Sequence, residues 1–160
     1  MIKKLLLMRL AVSVLALGQF CEISFANALY CSLNQDTPLV DASGVEIAVV
    51  KSDVKIDIFL FASQKGHVEF DSFIAQTDQD STVRVVGNML ETLSDTALLS
   101  DPSFRRTEEL ALVRANVKFA VLGSVKGIPV VENATFHNVV LSGFLKDPLF
   151  RNCSTENSFN

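Results

Sequence analysis

Apolar residues fall in short runs divided by polar turns, and the spacing within each run assigns it an element. Val45–Val50 is β-branched and predicts a short edge strand. Val54–Phe61 begins with strict alternation and ends apolar on both faces, as a strand does when it runs from the rim of a sheet into its interior. Phe70, Phe73, Ile74 and Thr77 recur at helical spacing and predict a helix over Val68–Gln76. Thr82–Val86 reads as a second interior strand. Asn88 followed by Glu91 resembles a capping box opening a helix with Met89, Leu90, Leu93 and Ala97 inward. Asp101-Pro102 has the form of an N-cap and first helical position.

From Thr107 to Leu122, Leu110, Val113, Val117, Ala120 and Val121 form one apolar stripe, with Glu108, Glu109, Arg114 and Lys118 away from it. This predicts a long helix that stops at Gly123. Pro129 then opens an apolar strand, Gly127–Val131, where its missing N–H is tolerated. A turn at Glu132-Asn133-Ala134 leads to a second strand, Thr135–Leu141, and Ser142–Phe150 suggests a last helical turn.

The N-terminus changes the compartment. Lys3 and Lys4 precede an apolar stretch, Leu5–Leu17, and Ala26-Asn27-Ala28 matches a signal-peptidase site. Residues 1–28 are therefore expected to be a cleaved export signal, the stretch being shorter than the roughly 20 residues of a spanning helix and broken by Arg9. Periplasmic or secreted location follows, with no stable membrane anchor.

Cleavage leaves 14 − 3 = 11 basic and 18 − 1 = 17 acidic side chains, a net charge of −6. An acidic chain without a basic cluster argues against nucleic acid and anionic lipid as partners. The remaining length suits one domain, divided into a lead-in and edge strand over 29–53, a folded region over 54–150 and a tail over 151–160. Cys31 and Cys153 are the cysteines that survive, and in an oxidising compartment one disulfide between them is the simplest expectation.

Candidate chemistry is sparse. His67, Glu69 and Asp71 are the only tight group of titratable residues, and no metal-ligand spacing accompanies them. Leu122-Gly123-Ser124-Val125 lacks the second glycine of a nucleophile elbow. No cofactor is expected, and catalysis is the minority reading.

The order strand, helix, strand, helices, hairpin, with Leu122-Gly123-Ser124-Val125-Lys126-Gly127-Ile128-Pro129 before the last strands, resembles the thioredoxin-like fold. That resemblance implies a three-layer α/β sandwich with a mixed central sheet and a late antiparallel hairpin entered through a cis-proline at Pro129. The loop Ala62–His67 stands where redox members carry Cys-x-x-Cys, and its lack of thiols removes dithiol chemistry. Ile58–Ser63, Asp101-Pro102 with Phe104-Arg105, and Ile128–Val131 are similar to the TrbC-like periplasmic proteins of conjugative transfer and type IV secretion. The resemblance implies a non-catalytic accessory factor. Its groove, formed by Ser63, Gln64, Lys65, Gly66 and His67 against Ile128 and Pro129, would hold an extended segment of a pilus or secretion-channel protein. The alternative is an exported enzyme or effector with an unrecognised site.

Overall fold

Burial at every second residue, the signature of a strand with one face inward, runs through the two longest elements of the chain. In a computed structural model that describes residues 28–77, 82–101, 108–126 and 134–155, β5 (His67–Thr77) turns Val68, Ser72 and Ile74 inward, and β12 (Ala134–Leu145) turns His137, Val139, Leu141, Gly143 and Leu145 the same way. They pair antiparallel from Ala134↔Thr77 to Phe144↔His67. Ser72 is tolerated inside because its hydroxyl donates to the carbonyl of Val139 at 3.0 Å.

Four shorter strands complete a ring. β2 (Thr37–Val40), β3 (Glu46–Val50), β8 (Thr96–Leu99) and β9 (Glu109–Val113) connect in the order β12–β2–β3–β9–β8–β5, and β5 returns to β12. Every pairing is antiparallel, so the sheet closes on itself as a six-stranded barrel. Leu39, Ala48, Val50, Ile74, Leu98, Ala111, Val113, Val139 and Leu141 are buried and belong to the core that fills it.

Two small sheets attach to the barrel. β1 (Leu29–Leu33) lies between β13 (Phe150–Thr155) and β4 (Lys55–Asp57), and Cys31 and Cys153 are bonded across the β1–β13 pair. β6 (Val83–Val86), β7 (Met89–Thr92) and β10 (Lys118–Ala120) form the other, in the order β10–β7–β6. The remaining strand, β11 (Gly123–Lys126), pairs with the first part of β12.

The thioredoxin-like α/β sandwich is thus corrected to an almost entirely β, antiparallel architecture, whose one described helix is α1 (Ile58–Ser63). Each misread element has a local cause. The expected helix over Val68–Gln76 is β5, whose residues fit both periods because Phe70 and Phe73 lie on opposite faces and are each half-buried. Around Asn88, Gly87 adopts φ +61° and a two-residue turn joins Val86 to its partner Met89, so a hairpin replaces the capping box. The expected long helix from Thr107 to Leu122 is broken by a turn at Asn116 (φ 66°) into β9 and β10. Thr92 fixes that turn, its hydroxyl donating to the Arg114 carbonyl at 2.6 Å and accepting from the Val117 N–H at 3.0 Å.

Asp57 ends the strand expected over Val54–Phe61. Its carboxylate accepts from the Leu60 N–H at 3.0 Å and caps α1. The expected edge strand at Val45–Val50 is β3, interior between β2 and β9. The segments read as lead-in and tail carry β1, β2 and β13, and Leu33 and Leu39 are fully buried. Ser142–Phe150 is not a helical turn, since β12 runs to Leu145 and β13 starts at Phe150. Pro102, Phe104, Arg105 and the strand Gly127–Val131 lie outside the described residues.

Candidate functional site

Ser63–His67, the first half of the expected groove, is the C-terminal turn of α1. Gly66 N–H donates to the Phe61 carbonyl at 2.9 Å and Lys65 N–H to that of Ala62 at 3.2 Å, the paired bonds of a helix stop with Lys65 left-handed at φ 55°. Ser63 Oγ donates to the Leu60 carbonyl at 2.8 Å, and Gln64 is the C-cap. His67 opens β5, its Nε2 3.0 Å from Ser142 Oγ and its ring edge-on to Phe144. Ile128 and Pro129 lie outside the described residues, and so does the isomer of their bond. The nearest described residue, Lys126, pairs with Thr135, whereas His67 pairs with Phe144, so 144 − 135 = 9 residues of β12 separate the two positions.

A constellation that sequence reasoning missed lies where β5, β11 and β12 meet. Ser124 stands directly opposite His137 in the β11–β12 register, with Oγ 2.9 Å from Nδ1. His137 Nε2 is 2.9 Å from Oε1 of Gln76 on β5. An amide oxygen only accepts, so Nε2 carries the proton and Nδ1 presents its lone pair to the serine hydroxyl. His137 is 6% exposed, and this burial pushes the imidazole below its ordinary range. Ser124, by contrast, is exposed on the strand surface. The cross-strand pair is legible only once β11 is recognised as a strand, and Gln76 is 61 residues from its partner, without a local signal.

A cleft of about 850 Å³ is bordered by Asp53, Glu69, Asp71, Glu108 and Glu109. Two of these carboxylates are already paired, Asp53 with Arg151 at 2.7 Å and Glu109 with Lys51 at 3.3 Å. His67, Glu69 and Asp71 alternate along the outer face of β5, and no metal-binding group of three or more His, Cys, Asp or Glu occurs among the described residues.

The outer face of β2–β3–β9–β8 is apolar. The registers align Pro38, Val49, Leu112 and Ala97 as one row across four strands, and Phe73 pairs with Leu99 beside it. All six are half-buried. Ion pairs lie on either side of the row, at the two ends of its strands. Arg114 meets Glu46 at 2.6 Å and Asp95 at 2.7 Å at one, and Lys51 meets Asp36 at 3.5 Å and Glu109 at the other.

No family model, curated protein or solved structure matches this chain. Nothing in these comparisons links it to the conjugative-transfer proteins.

Proposed function

We propose that the mature chain is an exported protein-binding domain that docks through the outer face of β2–β3–β9–β8. One observation carries this reading: the continuous apolar row Pro38–Val49–Leu112–Ala97, flanked on both sides, at the strand ends, by ion pairs. An apolar centre within a charged rim is the anatomy of a protein–protein interface. At about 4.8 Å between strands the row is roughly 15 Å wide, enough for the face of a sheet or helix. The partner is another protein of the same compartment, since the ring strands other than β5 and β12, at 4 or 5 residues each, are shorter than the about 9 a lipid-facing strand needs.

Export is supported by the bonded Cys31–Cys153 pair, by the start of β1 at Leu29, directly after the expected cleavage point, and by the absence among the described residues of a helix long and apolar enough to cross a membrane. The narrower expectation of a pilus or secretion-channel partner rested on a scaffold that the chain does not have, and we do not extend it. A photo-crosslinking residue at position 112, expressed in the native envelope, should give a discrete adduct that Val49→Lys removes while the melting temperature stays unchanged. No adduct, or one indifferent to the charge at position 49, overturns the reading.

A further inference from the structure

We propose that Ser124 is an activated nucleophile that accepts acyl groups from neutral carboxylic esters, with His137 as its general base and Gln76 as the positioning residue. This site lies on β5, β11 and β12, apart from the docking face, and does not rest on it.

Three features argue for reactivity beyond a satisfied buried histidine. The hydroxyl and the imidazole are in direct hydrogen-bond contact at 2.9 Å, the distance over which a base takes a proton. The ring is held from its far side by Gln76 at 2.9 Å, which fixes both its plane and the tautomer whose lone pair faces Ser124. The base is buried while the nucleophile is exposed, so a substrate reaches the serine and the imidazole stays shielded beneath it. Burial also keeps that imidazole neutral near pH 7, the state in which it can accept a proton.

A second serine–histidine pair in the same molecule shows what is missing elsewhere. His67 Nε2 lies 3.0 Å from Ser142 Oγ, but among the described residues no group holds its Nδ1, and the pair is exposed. Its tautomer is therefore not set from the far side of the ring, as that of His137 is by Gln76. Ser142 serves as an internal control.

In the proposed step, Ser124 Oγ attacks the ester carbonyl carbon as its proton passes to His137 Nδ1. The new Oγ–C bond forms, the bond from carbon to the leaving oxygen breaks, and that oxygen takes the proton from Nδ1 as the alcohol departs. Water then attacks the acyl-serine, giving its proton to Nδ1, which returns it to Oγ as the acid leaves. Ester and water are the only reactants consumed. The acidic net charge of the mature chain, −6, favours uncharged esters over anionic ones.

The test uses the mature, disulfide-bonded protein and a fluorophosphonate probe, which phosphonylates an activated serine with loss of fluoride. We expect a single adduct mapping by mass to Ser124, formed at least about 100-fold faster than any adduct at Ser142, the range general-base assistance supplies. Ser124→Ala, an exposed substitution that leaves the barrel intact, should abolish the adduct and the release of p-nitrophenol from p-nitrophenyl acetate. Ser142→Ala should change neither. An unlabelled wild-type protein, a label elsewhere, or ester hydrolysis that persists in Ser124→Ala overturns the proposal.

Discussion

At Gly143 the neighbouring strand β2 leaves no room for a side chain. A Cβ there would lie 2.7 Å from the carbonyl oxygen of Val40 and 3.0 Å from Leu39 Cγ, and the first contact is backbone, which cannot swing aside. Gly143→Ala should lower stability by about 2 kcal/mol through overpacking. A thermal melt would show this as a fall of roughly 5–10 °C. His137 makes a prediction of opposite chemistry. Its folded-state pKa is depressed by burial, so below about pH 7 the unfolded chain binds a proton that the folded one resists. Stability is therefore complete above the unfolded value near 6.5 and declines as pH falls from there towards the lower folded value. Ion-paired and hydrogen-bonded carboxylates such as Asp36 and Glu91 are held below their usual range and act only at more acidic pH. Urea titrations at pH 7.5 and pH 5.5 should show the loss, and a folded variant without an imidazole at position 137 should flatten it.

Among single elements, the Cys31–Cys153 pair was legible, because the expected export and the two cysteines outside the expected signal leave one simple solution. Its setting was not. Cys31 is 2% exposed and forms part of β1, paired on both edges, so the bridge cross-links two adjacent strands of one small sheet instead of tying loose tails. The loop it closes spans 122 residues, for which chain entropy alone gives about 4–5 kcal/mol, an upper value. Cys153→Ser should cost about 2–5 kcal/mol and Cys31→Ser more, since the latter also buries a hydroxyl. Denaturant midpoints for the two variants check the order. The strands Val45–Val50 and Thr135–Leu141 were readable from β-branched runs, whereas β5, β9 and β10 were not. Phe70 and Phe73 of β5, and Ala111 and Leu112 of β9, sit on opposite faces of the barrel wall, and β10 is only three residues long. A stretch with apolar residues on both faces satisfies helical spacing as easily as alternation. Gly87-Asn88 was the overlooked local signal, a hairpin turn that outweighs the capping box.

For the molecule as a whole, the least legible property was closure, because it depends on residues far apart in sequence. The ring is sealed where β2 meets the end of β12 through Leu39↔Leu145 and Val40↔Phe144, supported by Lys146 N–H donating to the Pro38 carbonyl at 2.9 Å. Leu39 and Leu145 are 145 − 39 = 106 residues apart, a contact that an unfolded chain finds slowly. The disulfide shortens that search. Cys31 precedes Leu39 by 8 residues and Cys153 follows Leu145 by 8, so through the bridge the same pair is separated by 8 + 8 = 16. With closure entropy growing as the logarithm of loop length, the change from 106 to 16 amounts to about 1.7 kcal/mol. If the seam forms in the rate-limiting step, the oxidised protein should refold up to about 20-fold faster than the reduced one at the same denaturant concentration. Stopped-flow refolding with and without a reductant measures this directly. Equal refolding rates, with the difference appearing only in unfolding, would place closure of the ring after the rate-limiting step and leave β5 and β12 as the part that forms first.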